Sequence, residues 1–339
     1  MRKYYLMTVT QTGPDLNPGS HFITHGIRHL IRLADPEALC FEASLFSYHE
    51  KHWRVMLDQA DAIFLCGNPR YDRSNQPHFW VSEIWDHFAT ARTRGILTGD
   101  LFAGSASPLP LDTPIDDAKR LLTYNRNQVT AREQGKLHIL VARDRTALKI
   151  ATETAVDPLL FPCSTWWAKD WLGIAPAPKT HNAIVIPSLN CSGPLIRAMA
   201  NLEKDFNNGL PTYLVAHMAN EFALLNETLP QHQRKICLSD PASLLLFYAG
   251  CSHMVSARLH ATIPALSLGT AVCPIAMDGR SLSLVPFGVK AIQYPQLLTG
   301  SFTLKFYGAP LPIRPNPEGF VKHFREKIVS KLTNEGRTK

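Results

Sequence analysis

Seven short segments limit what this 339-residue chain can become: 4–10, 62–66, 137–142, 183–187, 212–216, 253–256 and 271–276. Each is mostly apolar or β-branched, and each ends against polar or turn-forming residues. Runs of that length and character read as strands buried on both faces. Between them the period changes. His21–Leu33 places Phe22, Ile23, Ile27, Leu30 and Ile31 at helical spacing, and 79–94, 113–135, 194–207, 220–229, 241–249 and 261–268 also read as helices. Further strands are expected at 41–46, 95–98 and 236–238, with a short helix at 52–59. Strands alternating with helices indicate an α/β protein with parallel sheets covered by helices on both faces.

The alternation is interrupted once. Residues 157–180 carry four prolines and Trp166, Trp167 and Trp171, and read as an inter-domain connection. The tryptophans suit packing at a junction better than stacking on a sugar. The expected organisation is a Rossmann-like domain over 1–156, the connection, a second Rossmann-like domain over 181–312, and a basic helix and tail over 313–339. Two such parallel sheets would face a cleft. Ligands in these folds sit at the carboxyl ends of the strands.

Composition narrows the class. At 45% hydrophobic and 19% charged residues the chain has material for real cores. No apolar run reaches the roughly 18 residues of a membrane span, and the first ten residues read as a strand rather than a signal peptide. A cytoplasmic protein is expected. Seven scattered cysteines with no CxxC pair argue against a disulfide framework or a zinc ribbon. His21, His25 and His29 share a helix face but bring no third-ligand pattern, so no metal is expected. Net charge is +7, and residues 314–339 hold seven basic against three acidic side chains. That end reads as a solvated helix. It is also compatible with peripheral contact at an anionic inner membrane face.

Three strand ends carry cations. Arg143 follows 137–142, Arg258 and His260 follow 253–256 just before a helix, and Arg280 follows 271–276. Guanidinium forks at a helix N-terminus suit a small ligand with two anionic groups. No GxGxxG, P-loop or GxSxG motif is present, so neither glycine-rich loop holds a nucleotide here.

The stretch Val255-Ser-Ala-Arg-Leu-His-Ala-Thr-Ile-Pro-Ala-Leu-Ser-Leu-Gly-Thr-Ala-Val-Cys-Pro-Ile-Ala-Met-Asp-Gly-Arg280 resembles the signature of the polysaccharide pyruvyl transferase family. Residues 240–251, Val141-Ala-Arg-Asp-Arg-Thr146, Asn17-Pro-Gly19 and Asp61–Gly67 resemble further segments of it. Ser20 stands where the family usually has Asp, Gly67-Asn68-Pro69 replaces a more glycine-rich run, and Arg280 stands where Lys is common.

The resemblance implies a GT-B-like fold. It also implies transfer of the enolpyruvyl group of phosphoenolpyruvate onto two hydroxyls of a saccharide, with phosphate released. His260 would act as acid/base. Arg143, Arg258, Arg280 and the Leu259 backbone would hold the donor. Asn17, Ser20, Asn68 and Arg70 are expected on the acceptor side from their loop positions. Phosphoenolpyruvate would be a co-substrate, with no other cofactor, and the saccharide could be lipid-linked. Two alternatives use the same residues differently. A GT-B glycosyltransferase or sugar-nucleotide epimerase would set Arg258 and His260 on a diphosphate. A non-catalytic saccharide or nucleic-acid binder has only the basic balance behind it, and nothing resembles a nucleic-acid module.

Overall fold

A computed structural model describes residues 1–8, 17–45, 50–67, 69–71, 79–105, 135–145, 147–148, 157–188, 191–206, 208–277, 279–308 and 313–335. The chain divides into two compact units. Residues 1–10, 27–164 and 316–339 form the first, and 11–26 and 165–315 form the second.

In the first unit β1 (Arg2–Thr8), β2 (Ala38–Ser44), β3 (Ala62–Cys66), β5 (Leu97–Ser105), β6 (Ile139–Ala142) and β7 (Leu159–Leu160) make one sheet. The order is β2-β1-β3-β5-β6-β7, with β4 (Pro69–Tyr71) beside β5. These strands pair in parallel throughout. The β3 sequence Ala-Ile-Phe-Leu-Cys is buried at every position, as expected of a central parallel strand. Helices α1 (Pro18–Ala34), α2 (Glu50–Gln59) and α3 (Phe79–Thr93) flank these strands in sequence. The helix expected over 113–135 lies almost wholly outside the described residues.

Three expected boundaries move. Residues 11–26, placed by sequence in the N-terminal domain, group with the second unit. Residues 157–164 are not a free connection, because β7 pairs with β6 and closes the first sheet. The basic C-terminal segment is not a free tail either. Helix α10 (Glu318–Phe324) and the π-turn after it fold onto the first unit, with Phe320, Phe324 and Ile328 fully buried. The Phe324 ring lies 5.9 Å from Tyr4 and 5.5 Å from Phe64, and Phe320 stacks on Phe102 at 5.6 Å. Arg325 donates to the carbonyls of Ala34 and Leu33 at 2.9 and 3.0 Å, where α1 ends. A cation there satisfies orphan carbonyls and complements the helix dipole. Lys327 sits 3.5 Å from Asp157. Part of the terminal charge therefore has a structural use.

The second unit holds β8 (His181–Val185), β9 (Thr212–Ala216), β10 (Lys235–Cys237), β11 (Cys251–Ser256), β12 (Ala271–Ala276) and β13 (Ile292–Gln293), all parallel in the order β10-β9-β8-β11-β12-β13. Counted from β8 this is 3-2-1-4-5-6, the doubly wound order. The chain reverses direction across the sheet between β8 and β11, and the crevice at their carboxyl ends is the expected ligand site. Helices α4 (Ala168–Leu172), α5 (Gly193–Ala200), α6 (Ala219–Thr228), α7 (Pro241–Ala249), α8 (Leu259–Ser267) and α9 (Tyr294–Thr299) belong to this unit. Trp166 and Trp167 are buried, Trp166 lying 5.0 Å from Phe287, so these two rings pack rather than offer a sugar platform. Among the described residues no helix is long and apolar enough to cross a membrane.

Candidate active site

The cavity of interest lies wholly within the second unit, at the carboxyl ends of β8, β11 and β12. It encloses about 680 Å³ of space, open solvent at its mouth included, and its lining includes Asn17, Arg258, Leu259, His260, Met277 and Arg280. Five residues singled out from sequence are thus brought together there: Asn17, Arg258, Leu259, His260 and Arg280.

Local sequence explains the placement. Strand β11 is buried and ends at Ser256, whose hydroxyl accepts from the Arg258 backbone N–H at 3.2 Å. Arg258 is then the N-cap of α8, with extended backbone. Its carbonyl accepts from the Ala261 and Thr262 N–H groups at 3.2 and 3.0 Å. The N–H groups of Leu259 and His260 precede these bonds and belong to the helix turn that favours anions. Arg280 is the second residue of the 3-10 segment Gly279–Phe287 that follows β12.

Asn17 was expected on the acceptor side. The structure sets it in this same cavity, as the N-cap of α1, where its side-chain oxygen accepts from Gly19 N–H at 3.1 Å. Gly19 packs tightly against the His260 side chain. A Cβ there would lie 3.0 Å from His260 Nδ1 and 3.1 Å from His260 Cβ. Gly19→Ala is therefore expected to shift His260 and reduce activity at least tenfold, with the melting temperature changed by only a few degrees, as read by turnover and thermal unfolding.

Two other candidates, Ser20 and Arg143, do not line this cavity. Ser20 does not line the cavity; it continues α1, its N–H donating to Asn17 O and its carbonyl accepting from Thr24. Arg143 belongs to the first unit and does not line this cavity. Its guanidinium lies against the Gly104 backbone, where an added Cβ would run into Nε. Asn68 lies outside the described residues, and only the backbone of Arg70, in β4, is described.

Arg258 is not a loose cation. Its side chain is 7% exposed and ion-paired with Glu221, itself 5% exposed. Nε donates to the Ile186 carbonyl at 3.0 Å, and Nη1 bonds His217 Nδ1 at 3.1 Å. Glu221 in turn accepts from the backbone N–H groups of His217 and Met218 at 3.0 and 3.1 Å, reaching back from the first turn of α6 to its N-cap. His217 Nε2 lies 2.7 Å from the Tyr248 hydroxyl. Because Nδ1 must accept from Arg258, His217 is neutral with its proton on Nε2. Burial, reinforced by the Arg258 charge, pushes its pKa well below the ordinary value.

His217, Glu221 and Tyr248 were not singled out by sequence. The only signal was His217 at the end of β9, with Glu221 four residues on.

Depressed histidines carry a pH signature. His138 is pushed down to about 4 by burial and then by Arg92, and His181, His253 and His323 move in the same direction. The unfolded chain takes up these protons near pH 6.5 while the folded chain refuses them. Stability is therefore expected to be full above about pH 6.5 and to fall as pH drops towards 5. Thermal unfolding across that range checks it, and His217→Gln is expected to flatten the slope.

The family model for polysaccharide pyruvyl transferase matches residues 17–279, a span that includes the whole Arg258–Leu259–His260 segment. The chain belongs to this family. No curated protein matches it in sequence. Among solved structures, the UDP-GlcNAc 2-epimerase of Neisseria meningitidis bound to UDP-GlcNAc has a TM-score of 0.54 at 10% identity, covering 98% of this chain and 100% of that one. The S. aureus MnaA–UDP co-structure has 0.54 at 10%, covering 89% and 87%. The Methanocaldococcus jannaschii UDP-GlcNAc 2-epimerase has 0.52 at 9%, covering 98% and 100%. At such identities the likeness is one of fold. This pyruvyl transferase family member is built as two parallel-sheet α/β units of GT-B-like type.

Proposed function

We propose that this family member moves the enolpyruvyl group of phosphoenolpyruvate onto two hydroxyls of one saccharide, forming a cyclic pyruvate ketal and releasing phosphate. The observation that carries the reading is the gathering of His260, Arg280 and the first turn of α8 around one small polar cavity. Phosphoenolpyruvate bears a carboxylate and a phosphate within a few ångströms of each other. It calls for several fixed donors and no nucleotide loop.

In the proposed sequence a proton reaches C3 of the donor and C2 becomes electrophilic. One sugar hydroxyl adds to C2, phosphate leaves with the C2–O bond, and the second hydroxyl closes the ring. The two hydroxyl protons end on C3 and on phosphate, so the balance closes. His260 is the group proposed to carry the proton, since imidazole both holds and releases one near neutrality. Arg280, Arg258 and the Leu259 N–H would stabilise charge on the leaving group.

The test incubates the full chain with phosphoenolpyruvate and lipid-linked, nucleotide-linked and polymeric saccharides. It reads inorganic phosphate and a mass gain of one pyruvate ketal on the glycan. Thermal unfolding gives a second arm, because a ligand bound only by the folded chain raises the melting temperature. Phosphoenolpyruvate should raise it. A shift with nucleotide sugars alone would return the reading to an epimerase or glycosyltransferase.

A further inference from the structure

We propose that Glu221 and His217 are positioning residues that fix the Arg258 guanidinium so that its outer N–H edge is presented to the donor cavity. The proposal rests on the phosphoenolpyruvate reading above and adds two residues to it. Arg258 lines the cavity, yet it is nearly buried. Of its five N–H donors, Nε is used on Ile186 O, one on Nη1 by His217 and one on Nη2 by Glu221. Among the described residues this leaves one N–H on each Nη for a ligand.

The partners come from different elements. Ile186 follows β8, His217 follows β9, and Glu221 stands in the first turn of α6. The fork is thus held from two strand ends and one helix start, a geometry that freezes its rotation. A guanidinium fixed in advance does not lose rotamer freedom when the anion arrives. A neutral His217 is part of the device, because a protonated ring would turn a donor towards a donor. Tyr248, 2.7 Å from Nε2, keeps the ring oriented. Glu221 also offsets the buried charge of Arg258 when the cavity is empty.

The experiment uses Glu221→Gln in the full chain, with folding verified at the assay temperature. Phosphoenolpyruvate Kd by calorimetry and KM by kinetics are expected to rise about tenfold, the worth of one charge-assisted hydrogen bond. The saccharide KM should stay within about twofold. His217→Gln, which keeps an acceptor for Nη1, should retain most of the affinity. Unchanged donor KM in folded Glu221→Gln overturns the proposal.

If that variant does not fold, the double variant Arg258→Met with Glu221→Leu removes both buried charges. It is expected to fold and to lose donor affinity; wild-type affinity there would overturn the proposal. Histidine 15N spectra at pH 7 give a readout independent of the donor. His217 should be neutral and protonated on Nε2, and an Nδ1–H or charged ring overturns the clamp. A wild-type chain that binds no phosphoenolpyruvate overturns the donor reading instead, and the clamp is then decided by the tautomer.

Discussion

His260→Ala is expected to lower phosphate release in the presence of donor and saccharide by about 10²–10⁴-fold, the usual worth of a positioned acid/base group. The loss should fall on kcat more than on KM, because the proposed role is to move a proton and not to anchor the donor. Stability should change little. His260 is half-buried in the first turn of α8, and that helix keeps its main anchor in the buried run Ala261–Leu268. The same position underlies the loss expected of Gly19→Ala, since a Cβ there would lie 3.0 Å from His260 Nδ1. A His260→Ala variant with near-normal turnover would remove the residue from the mechanism, while leaving the cavity as a binding site for the anion.

Glu221→Ala is expected to act in the opposite way, on folding first. Removing one partner of a buried ion pair leaves the other charge uncompensated and typically costs about 3–5 kcal/mol. Here the surviving Arg258 is 7% exposed, and the N–H groups of His217 and Met218 lose their acceptor as well. Urea unfolding should show a midpoint lowered by that loss divided by m, with little change in m itself. Adding Arg258→Met is expected to recover much of the loss, since the stranded charge is then gone. A single variant within about 1 kcal/mol of wild type would mean that Arg258 finds another counter-charge or reaches water.

Much of the second unit was legible in the sequence. Runs such as 183–187 and 271–276 are apolar from end to end; the first overlaps the buried strand β8, His181–Val185, and the second is β12. The Arg258–Leu259–His260 segment could be placed because it falls between such a strand and a helix. The C-terminal segment shows where legibility stopped. Phe320, Phe324 and Ile328 stand four apart in the sequence, but an apolar helix face does not name the surface it covers. The Tyr4–Phe64–Phe102 surface that receives it is assembled from three distant strands. The tryptophans of 157–180 posed the same ambiguity, and burial decided it for Trp166 and Trp167.

By itself the sequence determined the alternation of strands and helices, the family, and the residue types that gather at the end of β11. Those are consequences of local periodicity and of neighbours along the chain. Only the tertiary structure decided how the cations differ. Arg258 is paired because Glu221, 37 positions away, folds back onto it. Asn17 joins the cavity because α1 begins among the residues of the second unit. Arg325 caps a helix that ended nearly 300 residues earlier. A charge acquires its role from its partner, and partners far apart in sequence meet only when the chain has folded.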